Sequence, residues 1–230
     1  MHFYGFQKMT LLDYPGKVAC TLFTGGCQFR CPFCHNASLV TGKLPDRFYT
    51  EEEIVSFLEK RRGLLDGVCI TGGEPLLQED LLPFLRRVRA MGYAVKLDTN
   101  GGFPARLRAA IDAGVLDYVA MDLKNCREKY GQTIGISGYD TAPIAESISL
   151  LLEERVEYEF RTTVAEPLHT VCDIASAAAW IHGARRYFLQ QFEDSGDLIG
   201  KGLMPCSEET LHAMQEAASI SVQNTQLRGV

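Results

Sequence analysis

The sequence predicts an α/β fold, a partial (β/α)6 barrel, with residues 1–230 forming a single domain. Three observations support this. Short β-rich runs alternate with amphipathic helical segments, the pattern of a parallel sheet covered by helices. Six such repeats can be counted, fewer than the eight that close a full barrel, so the barrel should be splayed; a doubly wound sheet is the alternative. Polar clusters follow the first four runs, at the carboxyl ends where either architecture gathers its ligands.

In chain order, the expected strands are Val18–Phe23, Gly67–Thr71, Ala94–Asp98, Tyr118–Asp122, Tyr158–Val164 and Tyr187–Phe192. Helices fill the gaps. Thr50-Glu51-Glu52-Glu53 has the form of a capping box at a helix start, and Asp80 is placed to cap the next helix. Gly92 and Gly114 fit helix exits, and Ser207-Glu208-Glu209 opens the last helix. There is no repeat, linker or low-complexity stretch to divide the chain.

Composition narrows the function. At 230 residues and 46% hydrophobic, the chain can bury one sizeable core. No apolar run approaches the roughly 18 residues of a membrane span, and no secretory signal is visible, so a cytoplasmic location is expected. A net charge of −6 argues against nucleic acid, whose phosphates are met by clustered Lys and Arg. Two local basic groups, Lys60-Arg61-Arg62 and Arg86, Arg87, Arg89, fall late in expected helices, where cations oppose the negative dipole end and face solvent.

Eight cysteines could suggest disulfides, but a chain with a full core has little need of them. Cys27, Cys31 and Cys34 are packed within eight residues; Cys20, Cys69, Cys126, Cys172 and Cys206 are scattered. Closely spaced cysteines in a reducing compartment more often bind metal. The loop Gly25-Gly26-Cys27-Gln28-Phe29-Arg30-Cys31-Pro32-Phe33-Cys34-His35-Asn36 directly follows the first strand with the spacing C-x-x-x-C-x-x-C. Three soft thiolates suit three corners of a cubane iron–sulfur cluster, leaving one iron open to a substrate. A zinc site would need a fourth ligand, and His35, adjacent to Cys34, is badly placed to complete a tetrahedron.

This loop resembles the signature of the radical S-adenosylmethionine superfamily, including the aromatic Phe33 before the third cysteine. The resemblance implies a [4Fe-4S] cluster on Cys27, Cys31 and Cys34, with S-adenosylmethionine chelating the open iron and Phe33 near its adenine. Thr71-Gly72-Gly73-Glu74-Pro75, at the end of the second strand, resembles the family's GGEP motif, which implies that Gly72, Gly73 and Glu74 hold the cofactor's amino group. Taken alone, these residues could be a turn with Pro75 starting a helix.

Asp98-Thr99-Asn100-Gly101 and Met121-Asp122-Leu123-Lys124 close the third and fourth strands. By resemblance to glycyl-radical-enzyme activases, Asp98 and Thr99 approach the ribose and methionine ends, and Asp122 and Lys124 the carboxylate. The same likeness implies a monovalent cation near Asp98, Thr99, Met121 and Asp122. An Asx-type turn and a solvated ion pair are the plain alternatives.

Further segments, including Gly5-Phe6-Gln7-Lys8, Leu12-Asp13-Tyr14-Pro15-Gly16, Cys34-His35-Asn36, Tyr158-Glu159-Phe160-Arg161-Thr162-Thr163 and Leu189-Gln190-Gln191-Phe192, resemble activases of anaerobic ribonucleoside-triphosphate reductase. Pyruvate formate-lyase activases are the second choice. They resemble one another in a His on the last core strand, where this chain has Gln190 and Gln191. The likeness places Asn36 with the cofactor-binding residues, and Asp13, His35 and Arg161 against a partner enzyme's glycine loop, with a flavodoxin or ferredoxin as electron donor. Asp13 is equally readable as a turn residue and Arg161 as a buried ion-pair partner, though not with Glu159, which shares its strand face. His169, His182 and His212 lack metal-ligand spacing and read as surface or structural.

Overall fold

The computed structural model describes residues 1–42 and 44–229. In chain order the strands are β1 (His2–Phe3), β2 (Gly5–Thr10), β3 (Ala19–Thr24), β4 (Tyr49–Thr50), β5 (Gly67–Gly72), β6 (Ala94–Thr99), β7 (Tyr118–Asp122), β8 (Glu157–Val164), β9 (Tyr187–Gln191) and β10 (Thr225–Arg228). The helices are α1 (Ala37–Val40), α2 (Glu51–Glu59), α3 (Leu81–Ala90), α4 (Pro104–Asp112), α5 (Tyr130–Thr133), α6 (Ala142–Leu152), α7 (Val171–Trp180) and α8 (Glu208–Ser219). A 3-10 turn, Pro75–Leu77, follows β5.

All six expected strands form, with ends within a residue or so of those expected. The main sheet runs β10-β9-β8-β7-β6-β5-β3-β2. From β3 to β10 every neighbouring pair is parallel and the order follows the sequence without reversal. A doubly wound sheet would reverse direction at a switch point, so the splayed barrel is the architecture found. β2 and β10 end the sheet and do not pair with each other, which leaves the barrel open.

Four strands lay outside the expectation. β2 pairs antiparallel with β3, and β1 with β4. Gly5-Phe6-Gln7-Lys8-Met9-Thr10 has no alternating apolar face, because as an edge strand it is half-exposed. β10, Thr225-Gln226-Leu227-Arg228, is too short and polar to read as a strand before β9 offers it an edge.

Strand alternation sorts the side chains into two very different layers. Outward, Leu22, Val68, Ile70, Val95, Leu97, Val119, Met121, Tyr158, Phe160 and Leu189 pack beneath the helices in one continuous apolar core. Inward, β6 to β8 carry Lys96, Asp98, Asp122, Glu159 and Arg161, so the inside of the barrel is charged. At its lower end Tyr14, Ala19, Tyr118 and Ala120 form a small separate apolar plug.

Local signals at the helix ends were mostly as read. Thr50 Oγ1 accepts from the Glu53 amide at 3.2 Å while Glu53 Oε2 accepts from the Thr50 amide at 2.8 Å, a complete capping box. Ser207 caps α8 through the Thr210 amide. Asp80 takes the position before α3, but its side chain caps nothing. Gly92 and Gly114 leave their helices with left-handed φ angles. The basic groups are surface features: Arg87 and Arg89 pair with Glu51 and Asp117, and Arg61 lies over Phe57.

Leu97 is fully buried at the centre of the outward layer. Leu97→Ala is expected to lower the unfolding free energy by about 2–5 kcal/mol, as measured by urea denaturation.

Candidate cofactor site

The three motif cysteines follow β3 and line one cavity of about 250 Å³ at the carboxyl ends of the barrel strands. Phe33, His35, Asn36, Gly72, Gly73, Glu74, Asp98, Thr99, Asp122, Lys124 and Arg161 line it too. Of the residues expected to hold the cluster, the cofactor or a partner's loop, Asp13 alone lies elsewhere. It sits in the segment joining β2 to β3, at the opposite end of β3 from the cysteine loop, where its Oδ2 accepts from Thr21 Oγ1 at 2.6 Å.

The cysteine loop and the Gly-Gly-Glu-Pro loop are pressed against each other. A Cβ on residue 73 would stand 1.9 Å from the Gly26 carbonyl oxygen, so only glycine fits there. The Glu74 amide donates to that same Gly26 oxygen at 2.8 Å, the Gly73 amide to Thr24 O at 2.9 Å, and Asn36 Nδ2 to Gly72 O at 2.9 Å. The glycine that was expected to admit a cofactor therefore first admits the neighbouring loop.

Glu74 has partners of its own within the protein. Its carboxylate is fully buried and accepts from Thr99 Oγ1 at 2.7 Å, the Asn100 amide at 2.7 Å and the Leu76 amide at 3.0 Å. Those bonds tie β5's loop to β6's and spend the carboxylate on protein donors. Burial pushes its pKa from 4.5 up to about 7, against the pull of the three donors. Thr99, whose hydroxyl serves Glu74, is likewise a strut.

Five charges inside the barrel alternate in sign, and all but the buried Lys96 line the cavity. Lys96 pairs with Asp98, and Arg161 bridges Asp98 at 3.3 Å and Asp122 at 2.9 Å. Lys124 meets Asp122 at 3.0 Å. The Asp122 carboxyl is held well below its usual range, its burial outweighed by Arg161 and Lys124. Arg161 is thus the ion-pair partner that was its alternative reading, and Glu159 pairs with Arg228 and Tyr118 instead, as the shared strand face implied. Both carboxylates expected around a monovalent cation already face protein cations. Met121 turns its side chain into the outer core.

The cysteines carry the donor chemistry of a cluster. All are free thiols. Burial raises Cys27 to about 11 and Cys31 to about 12, and raises Cys34 too, so without metal they hold their protons and binding iron must displace them. Among the described residues no three His, Cys, Asp or Glu side chains converge on one ion, as a zinc site would require. Three free thiols on one short loop, all lining one cavity, are the donor set that would hold a cubane cluster. Residues 21–181 match the family described as the Radical SAM superfamily. The chain belongs to that superfamily.

The radical SAM cofactors are accordingly a [4Fe-4S] cluster and S-adenosylmethionine, and the chain is an oxidoreductase-type radical SAM enzyme. A Methanocaldococcus jannaschii protein, provisionally named a glycyl-radical enzyme activating enzyme, is 31% identical over 98% of this chain and 95% of its own length. The 7-carboxy-7-deazaguanine synthase of Koribacter versatilis is 34% identical over 64% of this chain and 62% of its own. A domain of the pyruvate-formate lyase-activating enzyme from Bacteroides vulgatus superposes with a TM-score of 0.58 at 19% identity, over 71% of this chain and 99% of that one, a likeness of fold.

Further residues line the cavity of this radical SAM site, among them Gln190, already noted on the last core strand. Asn100 and Thr163 line it too. Their position at strand ends was a usable signal for Asn100, the third residue of an Asp-Thr-Asn-Gly run. His169 is structural, as expected, but not on the surface: its Nε2 donates to the Lys124 carbonyl at 2.9 Å, leaving Nδ1 to accept from the Ala165 amide, and its ring stands edge-on to Phe33.

Two outcomes test this geometry. Gly73→Ala should cut iron and sulfide incorporation several-fold while far-UV circular dichroism stays unchanged, since the added methyl displaces the cysteine loop and not the sheet. Glu74, with its folded pKa raised, holds its proton more tightly in the native state. Its contribution to stability is full below pH 4.5 and is lost as pH rises through about 7. The stability of the metal-free protein relative to Glu74→Gln should therefore fall across that window, measured by urea unfolding in reductant.

Proposed function

We propose that this radical SAM enzyme activates a glycyl radical enzyme by removing hydrogen from one glycine Cα of that partner. The observation carrying the proposal is the likeness to the M. jannaschii protein along nearly the whole of both chains. It extends beyond the cysteine and glycine loops that radical enzymes of many kinds share. The sequence resemblance to anaerobic ribonucleoside-triphosphate reductase activases makes that reductase the partner of choice, with Gln190 and Gln191 favouring it over pyruvate formate-lyase.

When bound, the reduced cluster supplies the electron that splits a C–S bond of S-adenosylmethionine, giving methionine and the 5′-deoxyadenosyl radical that takes the glycine hydrogen. Cys27, Cys31 and Cys34 would hold the cluster, while Phe33, Asn36, Gly72, Gly73, Asp98, Asp122 and Lys124 would frame the cofactor's place. Glu74 and Thr99 act beneath them by bracing the two loops. The five alternating charges inside the barrel comprise three cations and two carboxylates, so they favour an arriving carboxylate, with Lys124 at the end of the row. His35 is exposed at the cavity rim, beside Phe192, and is free to meet a partner's glycine loop. Arg161 reaches such a loop only while still paired to Asp98 and Asp122, and Asp13 only from below. A flavodoxin or ferredoxin would deliver the electron.

A second reading, a radical enzyme turning over a small molecule, is favoured by the partial likeness to 7-carboxy-7-deazaguanine synthase. Anaerobic incubation of the reconstituted enzyme with a reductase deuterated at glycine Cα separates the two. Deuterium is expected in 5′-deoxyadenosine together with a glycyl electron paramagnetic resonance signal, and both should vanish on substituting any of Cys27, Cys31 or Cys34 by Ala. Unlabelled product with each candidate partner would rule the activase reading out.

A further inference from the structure

We infer that Asn100 is a positioning residue that tunes the cluster, raising its reduction potential through an amide hydrogen bond to the Cys27 sulfur. The inference rests on the three cysteines holding the cluster but not on the identity of any partner. Asn100 follows directly on β6 and is nearly buried, with Nδ2 3.5 Å from Cys27 Sγ. The amide orientation is fixed by its surroundings. Asn100 Oδ1 accepts from the Gly102 main-chain amide at 2.9 Å, and since a backbone N–H can only donate, the amino half of the side chain must face the sulfur.

Two further contacts lock that orientation. Gln28, beside Cys27, donates from Nε2 to Asn100 Oδ1 at 3.0 Å, and its Oε1 accepts from Asn100 Nδ2 at 3.4 Å, a reciprocal amide pair. The Asn100 main-chain amide is anchored on Glu74 Oε2 at 2.7 Å. Cys27 also accepts from the Phe29 main-chain amide at 3.4 Å. Among the described residues, Asn100 supplies the only side-chain amide to any of the three sulfurs. Hydrogen bonds to cluster sulfurs are one of the protein's levers on potential, because an N–H aimed at a thiolate stabilises the more electron-rich, reduced state. Asn100 is buried, so that interaction is only partly screened by solvent.

The experiment is a redox titration of the anaerobically reconstituted protein, followed by electron paramagnetic resonance, with iron and sulfide counted per chain. Asn100→Leu, which keeps the bulk and loses the donor, should move the midpoint to more negative potential. Asn100→Asp should move it further, because it replaces the donor with a charge of the same sign as the sulfur. Gln28→Leu, which frees the Asn100 amide without removing it, should give a smaller shift in the same direction. Unmoved midpoints in both Asn100 variants at parental iron content would overturn the inference and leave the cluster reading intact. Should the Asn100 variants fail to retain iron, an unmoved midpoint in Gln28→Leu overturns it instead. A parent protein that takes up no cluster overturns the cofactor reading and this inference together.

Discussion

The Gly26 carbonyl oxygen occupies the space in which a side chain on residue 73 would begin, and the geometry of the site depends on that contact. With no Cβ in the way, the loop after β5 lies flat on the loop after β3, and main-chain bonds from Gly73 and Glu74 fasten the two. Glu74 then reaches under the loop after β6, and Asn100 on that loop reaches back to Cys27. Three consecutive strands are thereby joined at their tips into a rigid ring around the cysteines. Such preorganisation matters for iron chemistry, because each thiol must release a proton that burial makes it hold tightly, and a loop free to wander would add an entropic cost to that penalty.

The inside of the barrel solves a different problem. Burying Lys96 and Arg161 would be costly if they were unpaired, and the row from Lys96 to Lys124 places each carboxylate between two cations. The row also shows how residues singled out by family likeness are held in place. Arg161 is held by Asp98 and Asp122, and those two carboxylates are held in turn by Arg161 with Lys96 and Lys124. At the end of the row Lys124 lines the cavity with the cysteines and lies over Phe33.

Much of this was legible in the sequence, for reasons that also explain what was not. Parallel strands buried on both faces read as runs such as Val68-Cys69-Ile70, and their order around the barrel follows from the βα alternation. The cysteine spacing and the Gly-Gly-Glu-Pro motif gave the cavity's composition because short loops keep neighbours in sequence close in space. The edge strand β2 was invisible, since a half-exposed strand has no apolar alternation to display. Asp13 looked like part of the site from its motif alone, and the antiparallel register of β2 on β3 carries it to the far end of the barrel. Pairings such as Glu74 with Asn100 or Arg161 with Asp122 link residues tens of positions apart, and no local pattern encodes them.

Asp98, Thr99 and Asn100 show how finely that limit cuts. Strand alternation turns Asp98 inward to the charged row and Thr99 outward to Glu74, while Asn100, just past the end of β6, is free of the pleat and can turn its amide to Cys27. Three adjacent polar residues thus hold three different partners, although all three line one cavity. Those that touch the cofactor's surroundings are separated from those that brace them by a single peptide bond, so the chemistry of such a site is decided by strand register as much as by residue type. The braces are as demanding as the ligands. Replacing Asn100 by an apolar residue would leave the Gly102 amide and the Gln28 side chain without their acceptor beside the cysteine loop, and the cost of unpaired buried polar groups would fall on the residues that hold the iron.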